Sequence, residues 1–530
     1  MKKKIIAVFL AVILSLGVLL SAYQFVSKRP NIHFYIVENY PGVVGFAKRA
    51  LKITDLYFVD AFFKGDKVTS LYLEIPWKKI INLNLALPKK KKEDGVLIAL
   101  DNKYNIEFKY RGDSENHWIY PKKSIRLSIL DNQKFNDMTS FHLILPEDRG
   151  YISEDYSHYI AKKLGLITFN TDFYKLFING EYQGLYFMIE QATPAFLTRN
   201  NLDLNGNVYK NESDSGSGLN AFESPNYWQK NVASPNMKKK DMSEISLLLE
   251  SIKDDIPPER IIDIDNFIKW NAHSVLVNST HQSSGGNIIT YFDPKKRKFI
   301  FFPWDTAQQD HEQIDLNNNV LTSYVLQYPE YMFERNKVLW NYLNNENNLN
   351  DDLRYMDDKF EFIKIAMYKD KKKEIPNITF NKWSGVYKEM MVSRYANVKN
   401  QLKDSKIDVS FNVIDSKTLG LKLTSLGFSA AKMNLNGVIY DENGEFEIFV
   451  DSNRNQILDL EDQKVKDEQI LYSNRDFGDG VNSEIKVLPK TYQYFIISKG
   501  RKFDTKGYNS DWNFEAENAV TGGAAQVNFI

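Results

Sequence analysis

Two features far apart in the chain carry residue types suited to phosphate chemistry. Lys122-Lys123 lead into the strand-like run Ser124–Ile129, and Pro303-Trp304-Asp305 follows the apolar run Phe299-Ile300-Phe301-Phe302. A carboxylate leaving a strand can hold a hard cation, because Mg²⁺ takes oxygen ligands and commonly shares one or two carboxylates with substrate phosphates. A lysine can contact the phosphates that such a cation bridges. Read together, they imply a cleft for a nucleotide. Alone, a Trp-Asp at a strand exit is more often structural, because aspartate commonly caps turns. Lys123 is in phase with Ile125, Leu127 and Ile129, which predicts that it points into a cleft while Lys122 faces solvent or a neighbour. Lys210, in Val208-Tyr209-Lys210, is a further candidate cleft lysine.

The elements that must position these residues are legible in part. Ile106 and Phe108 alternate with Glu107 and Lys109 before Tyr110-Arg111-Gly112-Asp113-Ser114 turns the chain. The Arg-Gly-Asp triplet is too short to carry an adhesion assignment. Ser153 caps a predicted helix with Glu154 and Asp155 in its first turn, apolar Tyr156, Ile160 and Leu164 on one face, and Gly165 as its stop. Tyr174–Ile178 and Tyr182–Ile189 flank Asn179-Gly180, the favoured dipeptide of a two-residue hairpin, and Glu190 closes the second strand. A helix is predicted over Asp265–Asn278 and a strand over Ile288–Phe292. Helical spacing occurs at Ile245, Leu248, Leu249 and Ile252 and again from about 325 to 403. The block Lys89–Lys92 reads as a solvated loop, as does the Asn-, Ser- and Gly-rich stretch Asn211–Asn236.

Tyr110-Arg111-Gly112-Asp113-Ser114, Pro121-Lys122-Lys123-Ser124, the hairpin Phe177–Tyr186 with Glu190, and Pro303-Trp304-Asp305 resemble, in order, the signature segments of the spore coat protein H (CotH) kinase-like family. The resemblance spans about residues 106–400. It implies an atypical protein-kinase fold whose members bind ATP with Mg²⁺ or Mn²⁺ and phosphorylate secreted or surface proteins. Carried onto this chain, Lys122 or Lys123 takes the phosphate-contacting role, Glu154 is a helix partner for it, and Asp305 takes the metal-binding role, with Glu190 and Lys210 beside the nucleotide.

The departures bear on activity. In kinases the base aspartate lies five positions before a metal-binding asparagine. With Asn287 in the asparagine role the base position falls on Gln282, and a carboxamide cannot take a hydroxyl proton. The segment Asn278–Asn287 holds no carboxylate, which leaves His281 as its conventional base. The second aspartate that the family commonly places two residues after the first is Ala307 here, with Asp310 only later. A pseudokinase that serves as an envelope binding or structural scaffold is therefore the alternative to a weak kinase. His281 and His311 lack the spacing of a transition-metal pair, so loop histidines are the simpler reading.

From about Ile407 short alternating strands with Gly and Asn turns predict a β-sandwich. Within it, Asp451, Asn453, Asn455, Asp459 and Asp462 stand at positions 1, 3, 5, 9 and 12 of a calcium-type loop. Gln456 replaces the usual turn glycine and Asp462 the longer bidentate glutamate, so weak calcium binding is expected.

The whole chain of 530 residues exceeds one ordinary core, and its 43% hydrophobic and 14% aromatic content supports several. Lys+Arg and Asp+Glu both number 68, which gives nucleic acid no bulk attraction. The absence of cysteine excludes disulfides, thiolate zinc sites and thiol catalysis. Lys2-Lys3-Lys4 before the apolar stretch Ile5–Ala22 predicts a membrane anchor with the remainder outside the cytoplasm. A cleaved signal peptide, giving a secreted protein, is the competing reading. The expected plan is α+β: a signal anchor over 1–29, a β-containing region over 30–105 packed on a two-lobed kinase-like domain over 106–405, and a β-sandwich over 406–530. The expected partners are a membrane, through the amino-terminal helix, and a protein substrate or envelope protein.

Overall fold

A computed structural model describes residues 52–112, 117, 122–211, 221–235, 237–282, 286–307, 313–317, 319–373, 375–435, 446–465, 468–478, 483–500, 502–503 and 514–530. The expected anchor over 1–29, together with Asp310 and His311, lies outside these residues. Among the described residues no helix is long and apolar enough to cross a membrane. The chain divides into two compact units, the first from Met1–Tyr156, Asn170–Gln191 and Leu353–Glu389, and the second from Ser157–Phe169, Ala192–Asp352 and Met390–Ile530.

The first unit is built on a closed barrel. Its strands are β1 (Thr69–Glu74), β2 (Glu93–Ala99), β3 (Asn102–Tyr110), β4 (Ile125–Ile129), β5 (Ser140–Ile144), β6 (Thr171–Ile178) and β7 (Glu181–Glu190). They run in the order β1-β2-β3-β4-β5-β7-β6, and β1 pairs in parallel with β6 to close the ring. Alternate residues point inward, so Leu71, Leu73, Leu97, Ile106, Phe108, Ile125, Leu127, Phe141, Leu143 and Leu176 share one buried core. Helix α1 (Trp77–Ala86) adds Leu83 to that core. β1 and β2, from the region expected at 30–105, are thus staves of the same barrel as strands from 106–405, and the 105/106 boundary falls inside β3. The β6–β7 turn holds Asn179 at φ 50° and Gly180 at φ 82°, the left-handed pair that an Asn-Gly hairpin supplies. Helix α2 (Ser153–Lys163) has acids in its first turn and Lys162 and Lys163 in its last, in line with its dipole.

The second unit holds a four-stranded sheet of β8 (Asn207–Asn211), β9 (Trp228–Val232), β10 (Ile289–Asp293) and β11 (Lys298–Phe302), in the order β11-β10-β8-β9. Its core includes Tyr209, Trp228, Phe299 and Phe301, with Ile245 and Leu248 from α3 (Ser243–Lys253) and Phe267 and Trp270 from α4 (Ile264–Leu276). Asp263 caps α4 by accepting from Asn266 N at 3.2 Å. Among the described residues from Lys406 onward the secondary structure is almost entirely strand, with a six-stranded and a three-stranded sheet contributing side chains such as Leu421, Ile496, Met433 and Leu471 to one core.

Candidate functional site

Five of the expected residues gather at one end of the four-stranded sheet, and the strand register is what brings them there. Lys210 on β8 stands opposite Ile289 on β10, which stands opposite Phe302 on β11. Asn287 lies two residues before Ile289 and Asp305 three after Phe302, so all three leave the sheet at the same end. The Lys210 ammonium sits 5.5 Å from the centre of the Trp304 ring, a cation–π distance. Trp304 is buried and packs edge-on against Phe169 at 5.2 Å.

The turn that carries Asp305 is held by its own carbonyls. Gln282, 1% exposed, donates from Nε2 to Trp304 O at 2.8 Å. His281 Nδ1 lies 2.8 Å from Asp305 O. A carbonyl only accepts, so this nitrogen carries a proton, and in the neutral ring the basic nitrogen is Nε2. The same Nδ1 is 3.4 Å from Asp305 Oδ1. Both Asp305 (φ 55°) and Asn287 (φ 58°) adopt left-handed backbone, a conformation that is costly for side-chain-bearing residues and concentrated at functional sites. The Gln282 Oε1 atom is buried without a hydrogen-bond partner among the described residues. Behind the turn, Thr306 Oγ1 is 2.6 Å from Ser157 Oγ, which is 2.9 Å from His273 Nε2. This relay, with Thr306, Ser157 and His273 all buried, has no counterpart in the sequence reading, since helical periodicity marks Ser157 and His273 only as interior positions.

The donors at this sheet end are oxygens, one carboxylate from Asp305 and one carboxamide from Asn287, a set that suits Mg²⁺ or Mn²⁺. The second carboxylate of the expected pattern is replaced by Ala307, 7% exposed. Among the described residues no group of three or more His, Asp or Glu converges as metal ligands.

The lysine pair lies in the first unit, where the two side chains part. Lys122 is 1% exposed and its ammonium is 2.7 Å from Asp370 Oδ2 and 3.9 Å from Glu147 Oε2. It also lies 4.9 Å from the Tyr186 ring centre. Asp370 is fully engaged, accepting from Leu185 N at 3.0 Å and from Lys372 N and Lys373 N at 2.9 and 3.0 Å. Gly184, φ 114°, makes room for it: a Cβ there would lie 2.3 Å from Asp370 Oδ2. The expected partner Glu154 instead pairs with Arg149 at 3.1 Å, and the carboxylates on Lys122 come from Asp370 and Glu147. Asp370 is 248 residues from Lys122, and no local pattern marks it. Lys123 follows the predicted inward phase. It is half-buried above the Tyr110 ring and lines a cavity of about 230 Å³ at the barrel mouth with Trp77, Phe108 and Tyr186. Burial lowers its pKa. Glu190 is fully buried and accepts from Asn170 N at 3.1 Å, a structural engagement at the end of β7.

In the calcium-type loop, Asp451 accepts from Asn455 N and Gln456 N at 3.1 and 3.0 Å. Asp459 Oδ2 accepts from the side-chain amides of Asn453 and Asn455 at 2.9 and 2.7 Å. Asp462 accepts from Ser452 N and Asp459 N at 2.9 and 3.0 Å. Gln456, at the glycine position of such a loop, has φ 62°.

No curated protein matches the chain. A solved structure described as the crystal structure of a Helicobacter pylori proinflammatory kinase, CtkA, is 12% identical, covers 52% of this chain and 93% of its own, and superposes with a TM-score of 0.22. The family model described as CotH kinase protein matches residues 108–369. That segment, which holds Lys122, Lys123, Lys210, Gln282, Asn287 and Asp305, matches the CotH kinase family.

Proposed function

We propose that this kinase-like chain binds ATP with Mg²⁺ or Mn²⁺ and slowly transfers a phosphoryl group to an envelope or surface protein outside the cytoplasm. The observation that carries the slow rate is Gln282. Its carboxamide occupies the base position, is buried, and is committed to Trp304 O at 2.8 Å. Phosphoryl transfer depends mainly on positioning and charge neutralisation. Those tasks fall to Lys210 for phosphate charge and to Asp305 and Asn287 as ligands, the three residues that leave one sheet end together. The cation supplies charge neutralisation between phosphates when bound. His281 Nε2 is the basic atom next to the turn, and His281 Nδ1 fixes the Asp305 carbonyl. The architecture that goes with this reading is a two-lobed atypical kinase followed by a β-sandwich, tethered by a membrane helix at Ile5–Ala22.

A second reading is favoured by the same glutamine and by Ala307: a pseudokinase that keeps the fold as an envelope scaffold. Nucleotide binding by the purified chain, with and without divalent metal, separates the two. In the kinase reading Asp305→Ala abolishes the metal-dependent part of binding and Lys210→Ala weakens it. Gln282→Asp raises radiolabelled phosphate transfer, by at most about 10²–10⁴-fold, the usual span of general-base assistance. Equal nucleotide binding by wild type and Asp305→Ala sinks the site assignment. Binding without transfer in either wild type or Gln282→Asp selects the scaffold.

A further inference from the structure

We infer that helix α1 seats the barrel unit on an anionic lipid surface, through an outward apolar stripe set beside a run of lysines. Trp77, Ile81 and Leu85 follow one another at i, i+4 and i+8 and are 61%, 53% and 80% exposed. The opposite side of the same helix is already occupied, since Leu83 is buried in the barrel core and Ile80 packs against it. The helix thus has two apolar faces, of which the fold uses one. Single exposed apolar residues are ordinary, but a contiguous stripe marks an interaction surface.

Charge identifies the partner. Between Trp77 and Lys92 the chain has six lysines and no carboxylate. Lys79, Lys91 and Lys92 reach Asp94, Glu93 and Glu107 at 3.7, 3.1 and 2.8 Å, while Lys78 and Lys89 lie exposed. An apolar stripe with tryptophan at one end and basic residues along its border is the pattern of a helix lying in a bilayer interface, where anionic headgroups attract lysine. A protein groove would have to match three large side chains, whereas a lipid surface takes them without shape complementarity.

Chain length supports the same partner. Residues 23–51 separate the apolar stretch Ile5–Ala22 from the first described residue, Lys52. Those 29 residues span at most about 100 Å. With Ile5–Ala22 in a bilayer, α1 is confined near its surface and a weak interfacial affinity becomes effective. Both α1 and the lysine run precede residue 108, where the match to the family begins, so the inference does not depend on the kinase reading.

The chain lacks cysteine, so a single introduced thiol carries an environment-sensitive fluorophore cleanly. The full chain is reconstituted into phosphatidylglycerol vesicles with the label at Ile81→Cys, at Ser15→Cys in the apolar stretch, or at Asp131→Cys in the β4–β5 connection. The Ile81 label is expected to shift to the blue and to be quenched by brominated lipid. Both effects should fall in phosphatidylcholine vesicles and on Lys78→Glu/Lys89→Glu substitution, while the Asp131 label stays in water. A lipid-exposed Ser15 label with a fully aqueous Ile81 label overturns the inference and leaves the anchor standing. An Ile81 label that enters lipid while Ser15 does not supports the helix and rejects the anchor. A cooperative melt matching wild type is required of each labelled chain, and an aqueous Ile81 label in a folded chain counts against the inference.

Discussion

Lys122 and Asp305 carry the same kind of motif residue in two different settings. Lys122 is sealed in a network of full charges, with Asp370 and Glu147 as counterions and almost no exposure. The Asp305 turn is held by side-chain nitrogens on backbone carbonyls, Gln282 on Trp304 O and His281 on Asp305 O. The first arrangement spends its charge internally. The second fixes the backbone through its carbonyls, and the aspartate side chain remains half-buried at the sheet end. A motif lysine can therefore be a fold residue, deeply buried among carboxylates, while a motif aspartate stays less buried.

The largest expected effect tests that contrast directly. Lys122→Ala leaves Asp370 buried without its counterion and should lower stability by about 3–5 kcal/mol, the usual cost of breaking a buried pair from one side. Asp305→Ala removes a carboxylate that is 14% exposed, against 0% for Asp370, and should cost less, about 1 kcal/mol. Urea denaturation of both variants decides it. A loss below about 1 kcal/mol for Lys122→Ala would return that lysine to the pool of ligand-binding groups.

A second effect is set by two buried histidines, His158 on α2 and His273 on α4. Burial drives His158 down to about 3 and His273 down to about 4, so both are neutral in the folded chain, whereas an unfolded chain protonates them near 6.5. The unfolded state then binds more protons below that value. Stability is complete above about pH 6.5 and falls as pH drops, down to about 4 for His273 and about 3 for His158. The slope is about 1.4 kcal/mol per pH unit for each. Stability measured against pH in wild type and His158→Phe checks it, and the variant should lose roughly half the slope. An unchanged slope would place the titration elsewhere.

The smallest effect concerns the carboxy-terminal loop. Calcium would compete with amide and backbone donors that already satisfy Asp451, Asp459 and Asp462. Ligand at one hundred times Kd would add about 2.7 kcal/mol; this competition raises Kd, so millimolar calcium should fall short of that ratio and give a smaller gain. Melting of the intact chain in millimolar calcium and in chelator, with Asp451→Ala as control, measures it. No calcium-dependent shift would make this loop a self-satisfied turn.

Local chemistry was read well from the residues. Asn179-Gly180 fixes the hairpin, and its strands extend the expected ones by a few residues, Thr171–Ile178 and Glu181–Glu190. Ser153 opens a helix that ends at Lys163. The phase of Lys123 with Ile125 placed it at the barrel mouth. What could not be read is long-range. Asp370 reaches Lys122 only because the chain returns after more than two hundred residues, and the parallel pairing of β1 with β6 joins segments with no shared pattern. The resemblance to kinases pairs Glu154 with the lysine as a helix acid, but Arg149 lies closer to it in sequence and takes it.

Closure of the barrel has a consequence for where this protein can be cut. The family match begins at residue 108, inside β3, so an excised fragment starting there would lose β1, β2 and most of β3. The open ring would present β4 and β6 as raw edges and uncover the inward faces of Ile125, Leu127 and Leu176, an invitation to strand exchange between copies. The stretch that heredity marks out and the stretch that can fold are different lengths of chain, and soluble fragments will have to begin upstream of Thr69.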